Sequence, residues 1–198
     1  MIYSGVFLAS KEKPSNELLL LVLLAAVGAR TVAMTLNRII DREIDKRNPR
    51  TSNRELPSGK LLLWQVYSVL AAGFALYLIS ARLISEFCFF LSPIPLTVFI
   101  IYPYLKRFTP LAHFGVGLGL AMAPLGGWFA ITGSFLNFAD ALILPIFTFF
   151  WATGFDIIYS TLDEQFDREQ NLFSFPSRFG KERALQISAG LHLLAFLV

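Results

Sequence analysis

Residues 17–45 read ELLLLVLLAAVGARTVAMTLNRIIDREID, a long apolar run that ends in two aspartates spaced four residues apart. The apolar part, 17–40, is long enough to cross a membrane, because a helix needs about 20 residues to span the hydrocarbon core. Four further runs of comparable length follow along the chain, at 61–81, 87–105, 111–133 and 139–162. The sequence therefore predicts an all-α fold, a multi-span bundle of transmembrane helices.

The composition excludes a soluble domain. Hydrophobic residues make up 55% of the 198 residues and charged residues 16%, whereas a soluble globular domain carries about 25% charge. The same figures exclude a disordered chain. The one cysteine, Cys88, lies inside an apolar run, which excludes a disulfide framework and a cysteine-based metal site. We therefore expect the lipid bilayer as the main partner, no bound nucleic acid and no obligatory protein partner.

Two shorter apolar runs stand at the ends of the sequence, Met1–Ser10 and 183–198. Each is shorter than the roughly 20 residues that a transmembrane helix needs. We therefore expect residues 1–198 to form a single membrane-embedded domain that is incomplete, as a longer bundle truncated at both ends would be.

The basic residues are concentrated on one side of the predicted membrane. Counting the crossings in order places 37–60, 102–112 and 160–183 on the same side, and these segments hold 13 of the 17 Lys and Arg residues. Cytoplasmic loops carry an excess of Lys and Arg. The polar segments on this side are therefore predicted to face the cytoplasm.

Two pairs of aspartates lie on that same side, each at the end of a predicted span. Asp41 and Asp45 form the first D-x-x-x-D, and Asp163 and Asp167 form the second, 122 residues further along. Four predicted spans separate the pairs, so both have the same orientation. The segments 37–60 and 156–181 therefore form a predicted parallel repeat, and the interface of such repeats is a typical substrate site.

Further polar residues precede each pair at helical spacing. Asn37 lies four residues before Asp41, so it shares a helix face with the first pair. Asp156 and Tyr159 lie seven and four residues before Asp163, in one narrow stripe with the second pair. On each helix, the aspartate pair and the polar residues before it thus form one stripe that runs into the predicted span.

Carboxylates that converge near apolar surroundings are unfavourable unless they are paired or bind a cation. Hard oxygen ligands in this pattern favour Mg²⁺, which commonly bridges substrate phosphates. Basic residues interleaved with the aspartates could hold the remaining phosphate oxygens. The sequence therefore predicts a magnesium-bound diphosphate whose tail lies in lipid, and the alternative is a set of solvated helix ends with surface ion pairs.

Four segments resemble the UbiA family of intramembrane prenyltransferases. Residues 37–45, NRIIDREID, are similar to the family's first aspartate motif, and residues 156–167, DIIYSTLDEQFD, to its second. Residues 53–59, NRELPSG, resemble the loop after the first motif, and residues 102–106, YPYLK, resemble the family's Tyr-x-x-x-Lys element. All four occur in the family's order, and the resemblance covers nearly the whole chain.

The resemblance implies a bundle of nine helices, a central cavity that opens laterally to lipid, and magnesium-dependent prenyl transfer in a bacterial inner membrane. The implied catalytic residues are Asp41, Asp45, Asp163, Asp167 and Tyr159. The first two aspartates would hold one magnesium ion and the last two another. The implied substrate-binding residues are Asn37, Asp156, Lys106, Arg54 and Arg178, the last three of them for the diphosphate. The ring faces of Tyr159 or Phe155 would stabilise an allylic cation.

Two arginines and two histidines also lie in or beside the predicted spans. Arg30 lies seven residues before Asn37 on the same helix face, and two interpretations stay open: it binds the carboxylate of an aromatic acid, or it pairs with a neighbouring helix. Arg38 stands where many family members have Asp, so we expect no metal ligand there. His113 and His192 lack a second ligand at metal spacing, so we expect them to be structural.

The leading hypothesis is transfer of a polyprenyl group from an allylic prenyl diphosphate to 4-hydroxybenzoate in ubiquinone biosynthesis, by electrophilic aromatic substitution. The first alternative is prenylation of a naphthoate in menaquinone synthesis. The second is a membrane transporter with an acidic cation path, which leaves the loop motifs and Lys106 without a role. A CDP-alcohol phosphotransferase is excluded, because its signature of Asp-Gly, Ala-Arg and two further Asp does not occur in the sequence.

Overall fold

The computed structural model describes all 198 residues, and it contains helices and no β-strand. The predicted all-α fold class is therefore confirmed. In chain order the helices are α1 (Ile2–Ala9), α2 (Asn16–Ile40), α3 (Arg42–Arg47), α4 (Leu63–Ile84), α5 (Glu86–Leu91), α6 (Pro93–Leu105), α7 (Ala112–Thr132), α8 (Phe138–Ala141), α9 (Ile143–Ser160), α10 (Glu164–Glu169), α11 (Phe175–Phe179) and α12 (Lys181–Leu197), with a 3₁₀ turn at Thr161–Asp163 between α9 and α10.

The five predicted spans are confirmed, because five helical segments are long and apolar enough to cross a membrane. Three of them are the single helices α2, α4 and α7. The third in chain order, Glu86–Leu105, consists of α5 and α6, and the fifth, Phe138–Glu169, includes α8, α9 and α10. Large apolar side chains such as Leu83 and Phe90 are exposed on these helices, where they are available to contact lipid.

The helices of the five spans and α12 contact one another in the order α4, α2, α6, α7, α9 and α12. Glycines allow several of these backbones to approach closely. A Cβ added to Gly28 of α2 would lie 2.6 Å from the backbone nitrogen of Tyr77 on α4. Small residues at helix contacts are a common means of close packing in membranes. The helices α6 and α7 lie between α2 and α9. The polar ends of all four helices line one cavity.

The two helices that carry the aspartate pairs each break at the first aspartate. Asp41 has φ −94° and ψ 4° and separates α2 from α3, which carries Asp45. Asp163 has φ −110° and ψ 8° and precedes α10, which carries Asp167. These torsions lie in the sparsely populated bridge region, where many active-site residues are found. An interruption of the helix thus occurs at both aspartate pairs, a single residue at Asp41 and a 3₁₀ turn at Thr161–Asp163.

We expect substitution of Gly117 to weaken the contact between α7 and α9. A Cβ at Gly117 would collide with Thr153 Oγ1 and lie 2.7 Å from the carbonyl oxygen of Phe149. Overpacking of this kind typically costs about 1–3 kcal/mol, so Gly117→Ala is expected to lower the Tm measured in detergent. Gly126 is the matched control, because it lies on the same helix and a Cβ there meets no atom within 4 Å. Equal melting temperatures for Gly117→Ala and Gly126→Ala would contradict the packing argument.

Candidate active site

A polar cavity of about 220 Å³ lies where the ends of α2, α6, α7 and α9 meet α3 and α10. Its lining combines residues from both predicted repeats with residues of α6 and α7. The charged side chains of the lining are Asp41, Asp45, Asp156, Asp163, Asp167, Arg50, Arg54 and Lys106. Most of these carboxylates lie next to a cation, and the pairings define the geometry of the site.

Asp41 is the most deeply buried of the aspartates, with 3% of the residue exposed. Its Oδ2 lies 2.7 Å from the ammonium of Lys106 and accepts a hydrogen bond of 3.1 Å from the amide of Asn37. Burial raises the pKa of Asp41 above its ordinary value, and Lys106 acts in the opposite direction. The Lys106 ion pair therefore favours the ionised form that desolvation disfavours.

Asp45 lies one turn further along, on α3, and is also buried. Its Oδ2 accepts a hydrogen bond of 3.0 Å from Nη1 of Arg54. The carbonyl oxygen of Asp45 accepts a second bond, 3.1 Å long, from the buried hydroxyl of Thr51. Thr51 and Arg54 belong to the polar segment 48–62 that follows α3, which we call the basic loop. The loop is thus attached to the first aspartate pair at two points.

Asp163 is held by the same basic loop from the other side of the cavity. Its Oδ1 accepts hydrogen bonds of 2.8 Å from Nε of Arg50 and from Nδ2 of Asn48, and Nη2 of Arg50 donates to Oδ2. Nη1 of Arg50 also donates to the hydroxyl of Tyr159 at 2.9 Å. The guanidinium lies 5.0 Å from the centre of the Tyr159 ring. Hydrogen bonding to Asp163 raises the pKa of Arg50, so this side chain is a permanent cation at the second pair.

Asp156 has a histidine rather than a Lys or Arg as its partner. Nδ1 of His113 lies 2.6 Å from Oδ2 of Asp156, and His113 is 5% exposed. The other ring nitrogen, Nε2, accepts a hydrogen bond of 3.4 Å from the backbone N–H of Phe175. The histidine is therefore satisfied on both sides while it forms part of the cavity wall.

The donor set of the cavity fits a divalent cation. Five aspartates and three Lys or Arg side chains line it, so carboxylates outnumber cations by two. Oδ1 of Asp41 is buried without a hydrogen-bond donor, and Nη2 of Arg107 lies 3.8 Å from it. No three carboxylate, imidazole or thiol groups are clustered as a ready-made metal site. Binding a metal here therefore requires carboxylates to turn away from their present basic partners.

Most of the site residues predicted from the sequence line this cavity. They are Asn37, Asp41, Asp45, Arg54, Lys106, Asp156, Tyr159, Asp163 and Asp167. The structure does not bring Arg178 to the cavity, although the sequence suggested it as a diphosphate-binding residue. Its guanidinium lies 3.7 Å from the centre of the Phe173 ring, and Phe173 is the residue that lines the cavity. Phe155 is 61% exposed and lies outside the lining as well.

Arg30 also lies outside the polar cavity. It is exposed on α2 and forms none of the ion pairs of the chain. The expected alternative, a pair with a neighbouring helix, is therefore not found in this structure. Seven residues separate Arg30 from Asn37, which corresponds to about 10 Å along a helix. Arg30 thus lies on the face of α2 that enters the cavity, but deeper in the membrane.

Sequence reasoning missed three residues of the site: Asn48, Arg50 and His113. The sequence indicates Arg50 only as one of the charges on the basic side, and it favours a structural role for His113. Asn48 and Arg50 occur three and five residues after Asp45, so proximity to the first pair was an available signal. Nothing local indicated that both would reach Asp163, more than 100 residues away.

A sequence profile of the UbiA prenyltransferase family matches residues 1–198, the whole chain. The chain belongs to this family. The resemblance recognised in the aspartate motifs and in the Tyr-x-x-x-Lys element is therefore confirmed. In this UbiA-family chain, the four motif segments converge on one cavity.

Curated relatives of this UbiA-family chain include 4-hydroxybenzoate octaprenyltransferases. The protein from Legionella pneumophila (strain Paris) is 31% identical over 164 residues, which cover 82% of this chain and 57% of the relative. The protein from Francisella tularensis subsp. mediasiatica (strain FSC147) is 29% identical over 183 residues, which cover 90% of this chain and 62% of the relative. The chain thus spans about three fifths of the length of these relatives.

Solved UbiA homologues share the fold. The apo structure of a UbiA homologue from Aeropyrum pernix K1 superposes with a TM-score of 0.92 at 34% identity, covering 98% of this chain and 72% of that one. A UbiA homologue from Archaeoglobus fulgidus, bound to GPP and Mg²⁺, superposes with a TM-score of 0.75 at 22% identity, covering 99% of this chain and 69% of that one. The helical arrangement described above is therefore that of the UbiA family.

We expect Arg50→Gln to loosen the basic loop. The substitution removes the hydrogen bonds from Arg50 to Asp163 and Tyr159. Hydrogen bonds to charged groups contribute about 1.5–3 kcal/mol, and the lower end of that range corresponds to about tenfold faster amide exchange in residues 48–62, measured by mass spectrometry. Arg47→Gln is the control, because Arg47 is exposed and donates only to the carbonyl of Glu43. Unchanged exchange in the Arg50 variant would contradict the attachment of the loop through Asp163.

Proposed function

We propose that residues 1–198 form a prenyltransferase domain that transfers a polyprenyl group from an allylic prenyl diphosphate to 4-hydroxybenzoate in ubiquinone biosynthesis. The observation that carries the proposal is the cavity in which five aspartates and three basic side chains alternate at the ends of apolar spans. Such a site can hold a metal-bound diphosphate at the membrane boundary while an apolar tail extends along the helices. The names of the curated relatives support the choice of acceptor.

The diphosphate would be bound by cations that now face aspartates. Lys106, Arg54 and Arg50 each contact one carboxylate in this structure. When a diphosphate enters, the same three side chains can donate to its oxygens, because charge-assisted hydrogen bonds to phosphate are strong. The aspartates thereby lose their basic partners and become free to bind a metal.

The two aspartate pairs, Asp41 with Asp45 and Asp163 with Asp167, would hold Mg²⁺, which neutralises charge on a leaving diphosphate. Asn37 would assist by orienting Asp41, to which it already donates, and Asp156 would assist from α9. The magnesium-bound UbiA homologue from Archaeoglobus fulgidus supports this choice of metal. We further propose that this end of the bundle faces the cytoplasm of a bacterial cell, as the excess of basic residues there predicts.

Tyr159 would stabilise the allylic cation that forms as the diphosphate leaves. Tyr159 lines the cavity, and 48% of the residue is exposed. At present Arg50 lies over this ring. When Arg50 turns to the diphosphate, the ring face becomes available, and aromatic faces attract cations by about 0.5–2 kcal/mol or more. In this proposal the ring would then act on the carbon that the acceptor attacks.

The proposal is tested by assaying the full-length protein in proteoliposomes with a radiolabelled prenyl diphosphate. We expect transfer to 4-hydroxybenzoate that requires Mg²⁺ and stops when EDTA is added. The same assay with 1,4-dihydroxy-6-naphthoate distinguishes the alternative acceptor. Transfer to the naphthoate but not to 4-hydroxybenzoate would overturn the acceptor assignment, and uptake of cations without transfer would overturn the enzyme assignment.

In the same assay, Asp41→Asn and Asp163→Asn should each reduce transfer by about 100-fold or more, because removing one group that stabilises developing charge costs that much. Asp140→Asn is the matched control, since Asp140 is exposed and lies outside the cavity. We expect this control to retain the wild-type rate. Turnover near wild type in either of the first two variants would contradict the assignment.

Arg30 is proposed to bind the carboxylate of the acceptor, because it is a cation within a span that has no partner in the chain. Arg30→Ala should raise the KM for 4-hydroxybenzoate about tenfold or more, as expected for loss of a charged hydrogen bond, and leave the affinity for prenyl diphosphate unchanged. Arg82→Ala is the control, because Arg82 is exposed and already paired with Glu86. An unchanged acceptor KM in the Arg30 variant would count against this role.

A further inference from the structure

His113 occupies a junction between three elements of the cavity wall. It is the second residue of α7, it contacts Asp156 on α9, and it receives a hydrogen bond from Phe175 at the start of α11. The imidazole is 5% exposed, and its ring lies 5.7 Å from the ring of Phe175. The side chain therefore joins α7, α9 and α11 within the cavity wall.

The contacts indicate which ring nitrogen donates and which accepts. The backbone N–H of Phe175 can only donate, so Nε2 of His113 must accept. In a neutral imidazole one nitrogen accepts and the other carries the proton, so Nδ1 carries it. Nδ1 therefore donates to Oδ2 of Asp156, 2.6 Å away. The histidine thus supplies a directed donor to the carboxylate.

This donor leaves one half of the Asp156 carboxylate free. Oδ1 of Asp156 forms no hydrogen bond within the chain, and the side chain is 31% exposed in a residue that lines the cavity. Asp156 precedes Tyr159 by three residues on the same helical stripe. Its free oxygen therefore faces the cavity on the membrane side of the second aspartate pair.

The segment that holds His113 is itself attached to the diphosphate end of the site. The backbone N–H of Phe173 donates to the carbonyl oxygen of Lys106 at 2.7 Å, and that of Phe175 donates to His113. Phe175 is anchored in an apolar cluster with Ile157 of α9. The imidazole is consequently held between α9 and α11, and its hydrogen bond to Asp156 orients that carboxylate.

We propose that His113 is a positioning residue that holds one oxygen of Asp156 toward the bound substrates. The role rests on the proposed prenyl transfer. His113 contacts Asp156 directly, and the proposed effect of His113 passes through that contact. Loss of a hydrogen-bond partner that orients a functional carboxylate typically costs about 10–100-fold in activity.

A double-mutant cycle tests this role in the full-length protein in proteoliposomes. His113→Ala should reduce kcat by about 10–100-fold. In an Asp156→Asn background the same change should have no further effect, because effects of residues that act through one another are not additive. Equal fold losses in both backgrounds, or a wild-type kcat for His113→Ala, would overturn the proposal.

Two conservative variants keep the test decisive if Asp156→Asn has no measurable rate or His113→Ala folds poorly. The amide of Asn can replace Nδ1 as a donor to Asp156, whereas that of Gln replaces Nε2 and its contact with Phe175. His113→Asn should therefore recover at least about tenfold in kcat over His113→Gln if the Asp156 contact carries the effect. Equal rates for these two variants, or a loss of kcat that follows Tm across the series, would overturn the proposal.

His192→Asn is the matched control, because it changes the one other histidine, which lies outside the cavity on α12. We expect this control to retain the wild-type kcat. If the wild type transfers and His113→Ala transfers at the same rate, the positioning role is contradicted and the proposed function is not. Absence of transfer by the wild type under every condition would contradict the proposed function, and the positioning role with it.

Discussion

The burial of carboxylates at the ends of apolar spans is the constraint on which this structure depends. Removing one partner from a buried ion pair costs about 3–5 kcal/mol, because the remaining charge is left uncompensated. Asp41 is 3% exposed and Asp45 is 7% exposed, so each needs a cation close by. Lys106 and Arg54 supply these cations. The helices that carry the partners must therefore be brought to the same place.

These partners also explain the course of the chain around the cavity. The helix is interrupted at Asp41, between α2 and α3, and Asp45 on α3 contacts Arg54 of the basic loop. A second interruption, the 3₁₀ turn at Thr161–Asp163, lies between α9 and α10. The irregular backbone thus lies at the polar cavity, where unpaired peptide groups can find partners, and away from lipid, where they cannot.

Much of the fold could be predicted, because length and hydropathy are local properties of the chain. The five spans and the two aspartate pairs are local in this sense. The ion pairs are not local: Arg50 reaches Asp163 across 113 residues and His113 reaches Asp156 across 43. Arg178 follows the second pair much as the basic loop follows the first, yet it stacks on Phe173. Residue type and spacing could not distinguish Arg50 from Arg178, because packing of distant helices decides which of them faces the cavity.

Neither predicted repeat neutralises both of its own aspartates, although Asp45 pairs with Arg54 of the same segment. Asp41 in the first segment depends on Lys106 of α6, which belongs to neither repeat, and Asp163 in the second depends on Arg50 from the first. An isolated half of the bundle would therefore leave Asp41 or Asp163 without its cation, whereas the assembled bundle supplies both cations. The same crossed pairing means that a ligand with negative charge can attract Lys106 and Arg50 away from both aspartate pairs together. Stability of the empty site and its capacity to bind a diphosphate thus arise from the same few side chains.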